Sequence, residues 1–188
     1  MTLPPLGAVL AGGAATRIGG AKAAVELDGR PLIAYPLGAL AEAQLEAIVV
    51  AKAGSLLPPL DTPIITEPDE PRHPLAGVVA AMKHAGDRPV VVVPCDAPFI
   101  TSMLLRVLAS AASTTAVRAG GRTHPLIALY TPEHLSHLEQ ATNDGQSATQ
   151  ALESLDPEYI EAPERETFNI NTPEDLAKAE ETLRPPRS

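Results

Sequence analysis

A run near the start of the chain, Leu10-Ala11-Gly12-Gly13-Ala14-Ala15-Thr16-Arg17-Ile18-Gly19-Gly20-Ala21-Lys22, combines glycines with two cations. Glycine lets backbone N–H groups come close to a phosphate and adopt positive φ. The run therefore reads as an anion-binding loop in which Arg17 and Lys22 supply charge that the acidic chain otherwise lacks. No Gly-Lys-Ser/Thr ends a Walker loop and no G-x-G-x-x-G occurs, so neither a P-loop NTPase nor an ordinary dinucleotide fold is supported. By residue frequencies the pattern A-G-G-x3-R-x-G-x2-K arises on the order of once in ten million start positions. The competing reading is a tight strand-to-helix turn with incidental surface cations.

A second segment, Val90-Val91-Val92-Val93-Pro94-Cys95-Asp96-Ala97-Pro98-Phe99, is a buried strand whose carboxyl end delivers an acid. Ligands of open α/β sheets bind beyond the carboxyl ends of strands, which sets Asp96 in the same crevice as the glycine loop. A carboxylate there suits Mg²⁺, a hard cation commonly held by one or two carboxylates together with substrate phosphates. The alternative role, cap of the next helix, is weakened by Pro98 and by Thr101, a better cap further on. Cys95 has no assignable base and reads as a small buried residue. His124 precedes a strand, and by residue type alone it reads as a capped or core histidine. His84, His134 and His137 lie in helical stretches without a partner pattern, and Lys83 and Arg72 read as solvated cations.

These groups need a scaffold. Residues 6–10, 47–50, 63–66 and 90–93 are short apolar runs bounded by turn formers, as expected of parallel strands covered on both faces. Between them residues 32–45, 75–84 and 103–112 carry helical spacing, the last after a cap at Thr101 or Ser102. The alternation predicts an α/β fold: a doubly wound, mostly parallel sheet with right-handed crossovers. Beyond Thr114 the pattern becomes strands at 116–118 and 126–130 around a Gly120-Gly121 turn, helices at 132–140 and 148–155, and a last strand at 168–171. This half reads as a mixed-sheet extension. A closing helix to Leu183 starts at Thr172-Pro173-Glu174-Asp175, with a cap, Pro at the first helical position and acids in the first turn.

The 188 residues fit one domain, 1–183, with a loose tail at 184–188. A net charge of −9 and the absence of a basic run argue against nucleic acid or an anionic membrane as partner. Aromatic residues make up 3% and Trp is absent, so stacking platforms for single strands or sugars have little to be built from. The single cysteine excludes an internal disulfide, and no apolar run is long enough to span a bilayer; both suit the cytoplasm.

Five segments in this order resemble the MobA-type molybdenum cofactor guanylyltransferase family across nearly the whole chain. They are the glycine loop, His73-Pro74-Leu75-Ala76-Gly77, Pro94 to Phe99, Thr123-His124-Pro125-Leu126-Ile127-Ala128-Leu129-Tyr130 and Asn169-Ile170-Asn171-Thr172-Pro173-Glu174-Asp175-Leu176. The loop alone is shared with many sugar-nucleotide and isoprenoid nucleotidyltransferases; the last two segments narrow the likeness. The resemblance implies a Rossmann-like nucleotidyltransferase fold, GTP and Mg²⁺ as reactants and molybdopterin as acceptor, with molybdoenzymes or cofactor-delivery proteins as further partners. By position it puts Leu10, Ala11, Gly12 and Gly13 against guanine and phosphates, Arg17 and Lys22 against the triphosphate, and Asp96 on the metal. Asn171 becomes a second metal ligand or, with Asn169, a turn and cap residue. Separately, Asn169, Asn171 and His124 are expected to form a wall facing the loop on the acceptor side, where His124 is either a contact to the pterin phosphate or a capped or core histidine. The acid that contacts the nucleotide is Glu67 or Asp69. Departures from the family pattern are Ala21, where Asp is frequent, Ala51, where Asn is, and His73, where Gly is. Rival readings are the same chemistry with CTP or with a sugar or isoprenoid phosphate, and a non-catalytic nucleotide-binding partner in cofactor delivery.

Overall fold

The computed structural model describes residues 3–12, 22–70 and 72–184. In chain order the first half holds β1 (Leu6–Leu10), a small hairpin of β2 (Glu26–Leu27) and β3 (Arg30–Pro31), α1 (Ala34–Glu42), β4 (Ala47–Lys52), β5 (Ile64–Glu67), α2 (Ala76–Ala85) and β6 (Val90–Pro94). Then come α3 (Ser102–Ala109), β7 (Thr115–Ala119), β8 (Arg122–Tyr130), α4 (Leu135–Asn143), α5 (Ala148–Glu153), β9 (Glu158–Glu161) and α6 (Pro173–Leu183).

Seven strands form one sheet in the order β5-β4-β1-β6-β8-β7-β9. The first four are mutually parallel, β8 runs antiparallel to both β6 and β7, and β9 is parallel to β7. This is the expected α/β sheet with its mixed extension. Strand alternation divides the core in two. Val90 and Val92 pack with Leu6, Ala8, Ile48 and Val50 against α2, α4 and α5. Val91 and Val93 pack with Val9 and Val49 against α1 and α3. Each fully buried valine contributes roughly 1.5–3 kcal/mol, so a strand apolar on both faces is stable only with helices on both sides, and that is where they lie.

Several local expectations change. Residues 168–171 form no strand: the Ile170 N–H donates to the Asp96 carbonyl at 3.0 Å, and the Asn171 N–H is taken by the Asp175 carboxylate. Backbone donors spent this way leave no ladder to build. Helix α3 stops at Ala109, where Ser110 turns its hydroxyl onto the Val107 carbonyl. The β2–β3 hairpin is joined by Asp28 and Gly29, both at positive φ, as a two-residue connection of this hand requires. The Gly120-Gly121 turn likewise has positive φ at both residues and joins β7 to β8 as expected. Pro125 lies within β8, where the register against β7 shifts, because proline cannot donate to the ladder. No helix among the described residues is long and apolar enough to cross a membrane.

Helix α6 begins as read, with Thr172 as cap, Pro173 next and Asp175 completing a capping box. A third, small cluster of Leu27, Leu32, Ile170 and Ala179 packs α6 onto the β2–β3 hairpin. That packing joins the segment carrying Lys22 to the segment carrying Asn171.

Candidate active site

The parallel strands β1, β4, β5 and β6 deliver their carboxyl ends to one edge of the sheet. Gly12, Lys52, Glu67 and Asp96 are therefore gathered there, although they come from distant parts of the sequence. Two clusters result.

The first centres on Asp96, 6% exposed, two residues past the end of β6. Its Oδ2 pairs with the Lys22 ammonium, which also donates to Asn171 Oδ1 at 2.7 Å. Asp96 Oδ1 is buried and has no hydrogen-bond partner among the described residues, and the same is true of Asn169 Oδ1. Asp96 does not cap α3; Thr101 does, accepting from the Leu104 N–H at 3.2 Å. Asn171 is not the cap of α6 either. Its backbone N–H donates to Asp175 at 3.0 Å and its side-chain amide to the Asn169 carbonyl at 3.4 Å, which leaves Oδ1 to face Lys22. The hydrogen bonds from Asn171 and Thr172 hold the Asp175 carboxyl below its usual range.

The donor set converging on the Lys22 ammonium is all oxygen: a carboxylate and an amide carbonyl. A partnerless buried carboxylate oxygen beside it fits a hard divalent cation such as Mg²⁺. No group of three or more His, Cys, Asp or Glu able to hold a metal occurs among the described residues. A cation here would complete its shell with substrate oxygens and water.

The second cluster surrounds Glu67, the last residue of β5 and 7% exposed. A methyl group built on Gly12 would lie 1.7 Å from Glu67 Oε1, and one built on Gly77 would lie 2.8 Å from Glu67 Oε2. Both glycines thus leave room for the carboxylate where it stands, and a side chain at either would make Glu67 move. Neither Glu67 oxygen is hydrogen-bonded or ion-paired among the described residues. Burial pushes its pKa up, Lys52 opposes that and Asp69 adds to it. Asp69, by contrast, is exposed beyond Pro68; its backbone carbonyl accepts from Lys52 Nζ at 3.0 Å. Leu10 ends β1 and Ala11 follows it beside this wall, with the Ala11 N–H on the Val50 carbonyl and the Leu10 carbonyl receiving the Cys95 N–H.

His124 lies in β8, whose antiparallel pairing sends its first residues toward the carboxyl end of β6. It forms no hydrogen bond with either cluster among the described residues. Burial, then Arg122, lowers its pKa, which leaves the imidazole neutral near pH 7. The Cys95 thiol, buried and beside Asp96, is pushed up to about 12 and stays protonated, in keeping with a packing role. His73, at a position where the family often has Gly, accepts from the Leu75 N–H at 3.1 Å and pairs with the Gln146 carbonyl, tying the entry of α2 to the α4–α5 loop. Gly13, Arg17 and Ala21 lie outside the described residues. Lys52 carried no motif; its one sequence signal is a lone cation ending an apolar strand.

A glycine-lined strand end, a buried acid and a lysine at the carboxyl edge of a mostly parallel sheet suit a nucleotidyltransferase, and the chain's relatives show that it is one. A family model described as MobA-like NTP transferase domain matches residues 7–158. The chain is 35% identical to a molybdenum cofactor guanylyltransferase of Rhizobium johnstonii, over 94% of this chain and 92% of that one. It is also 35% identical to one of Pseudomonas aeruginosa, over 95% and 96%. The crystal structure of molybdopterin-guanine dinucleotide biosynthesis protein A from Archaeoglobus fulgidus superposes with a TM-score of 0.74 at 26% identity, covering 94% of this chain and 97% of that one. The chain belongs to the MobA-type molybdenum cofactor guanylyltransferase family, as its motifs led us to expect.

Proposed function

We propose that the protein transfers GMP from GTP to the phosphate of molybdopterin, releasing pyrophosphate and forming the guanine dinucleotide cofactor. The observation that carries this is the meeting of Lys22, Asp96 and Asn171 at the sheet edge that also bears Glu67 between two glycines. The names of the relatives supply the acceptor.

An oxygen of the acceptor phosphate attacks the α-phosphorus in line. The bond from the α-phosphorus to the α,β-bridging oxygen breaks, and pyrophosphate leaves with the electron pair. The acceptor phosphate is ionised at neutral pH, so no general base is needed and no protein nucleophile intervenes. Three anionic groups must be held together, so the work of the chain is positioning and charge compensation. Two of the three ammonium donors of Lys22 serve Asp96 and Asn171, and the third suits a phosphate oxygen. Arg17 adds a second cation to the triphosphate. Asp96, with Asn171, would hold Mg²⁺, which supplies further compensation of phosphate charge when bound. Asn169, Asn171 and neutral His124 would offer the acceptor hydrogen bonds rather than more charge.

Base selection falls to Glu67. Guanine presents N1–H and N2–H₂ as adjacent donors, which one carboxylate accepts together, whereas cytosine offers one amino donor on that edge. Asp69 is exposed and its segment is anchored through the backbone. The test is nucleotide competition with GTP and CTP. Glu67→Gln is expected to lower the preference for GTP about tenfold or more, the scale of one hydrogen bond to a charged group, while Asp69→Asn leaves it unchanged. Because burial raises the Glu67 pKa, the fold favours its neutral form. That contribution is present below the unfolded value and is lost as pH rises through the folded value. Above the folded value the charge opposes folding, so there Glu67→Gln should melt no lower than the parent. Equal use of GTP and CTP by the unaltered protein refutes the guanylyl assignment.

A further inference from the structure

Glu67 poses a physical problem for the reading above. A buried carboxylate must remain ionised to accept two donors from guanine, yet a direct ion pair would occupy the same lone pairs. Lys52 resolves it by placement. It ends β4 and is the register partner of Glu67 across the β4–β5 ladder. Its ammonium is nevertheless bonded to the Asp69 carbonyl at 3.0 Å, and it makes no ion pair with Glu67 within salt-bridge distance among the described residues.

We propose that Lys52 is a selectivity-positioning residue that acts through Glu67. Tethered to the Asp69 carbonyl, it fixes the turn after β5 and provides positive charge near the carboxylate while leaving both carboxylate oxygens open to the base. This inference rests on Glu67 as the guanine reader. Of the elements around Glu67, β4 contributes the cation Lys52 and the turn contributes the acid Asp69, whereas β1 and α2 approach with glycines. Lys52 is thus the charge among the described residues that favours ionised Glu67, and Asp69 the one that opposes it.

The experiment is competition of GTP and CTP for the protein across pH 5–8, in which the titration of the triphosphate cancels in the GTP/CTP ratio. Selectivity falls as pH drops through the Glu67 pKa. In Lys52→Met the fall is expected to shift to higher pH, because the positive charge that favours the ionised carboxylate is gone, so that on the falling limb selectivity is severalfold below the parent's at the same pH. Lys52→Arg should restore the profile, and Lys52→Gln should match Lys52→Met if the latter melts early. In a Glu67→Gln background, Lys52→Met should add nothing to the loss. A Lys52→Met profile superimposable on the parent, or an equal further loss in the Glu67→Gln background, overturns the role of Lys52. Full selectivity in Glu67→Gln itself instead overturns the reading on which it rests, so the two failures are distinguishable.

Discussion

Asp96→Asn is expected to fold as the parent does and to turn over at least about a thousandfold more slowly, the scale of several kcal/mol of lost charge compensation at the reacting phosphates. The substitution keeps shape and volume. Asn still offers an oxygen to Lys22, and the Asp96 backbone carbonyl still accepts the Ile170 N–H, so the local chain path survives. What disappears is a buried negative charge whose Oδ1 has no partner among the described residues. Such a group is costly to keep unless something else uses it. Normal turnover by a folded Asp96→Asn protein would remove the carboxylate from the mechanism.

Lys22→Ala is expected to depress kcat/KM for GTP by about a hundredfold or more, since the loss removes a preorganised positive charge from a site where charge moves onto pyrophosphate. It also leaves Asp96 without its ion-pair partner and Asn171 Oδ1 without its donor. Some destabilisation is therefore expected, and steady-state kinetics are to be read beside a melting curve. Lys22→Arg preserves the charge but not the compact three-donor geometry, so partial recovery is expected. A defect confined to the KM of the acceptor would assign Lys22 to the other substrate.

The parts legible in the sequence were those whose signal is local. Val90–Val93 announced a strand with two covered faces because each side chain, alone, needs burial. Thr172-Pro173-Glu174-Asp175 announced a helix start because cap, proline and acid each answer one unsatisfied N–H group or the helix dipole. Strand β9 was not legible. Glu158 and Glu161 are exposed, and its pairing with β7 comes from the rest of the sheet. Residues 168–171 misled because an extended apolar-polar segment looks the same whether its donors enter a ladder or turn to Asp96 and Asp175.

The site divides similarly. Lys22 and Asn171 are 149 residues apart, and no spacing rule joins them; the family likeness placed Lys22 on the triphosphate and left Asn171 between metal ligand and cap, and the third small core brings the two segments together. Glu67 and Asp69, two residues apart, would share a face if the strand continued. Strand β5 ends at Glu67, and that end separates a buried acid from an exposed one. Lys52 escaped notice because its meaning depends on strand order, which places it beside Glu67.

The measurement that bears most directly on the central claim is pyrophosphate release with mass analysis of the product, using GTP, Mg²⁺ and molybdopterin together and each nucleotide substrate or acceptor omitted in turn. The account predicts release only when GTP and molybdopterin are both present, with one guanine dinucleotide formed per pyrophosphate. Release that requires CTP, or a sugar or isoprenoid phosphate in place of molybdopterin, or no release from GTP and molybdopterin by a folded protein, would contradict it.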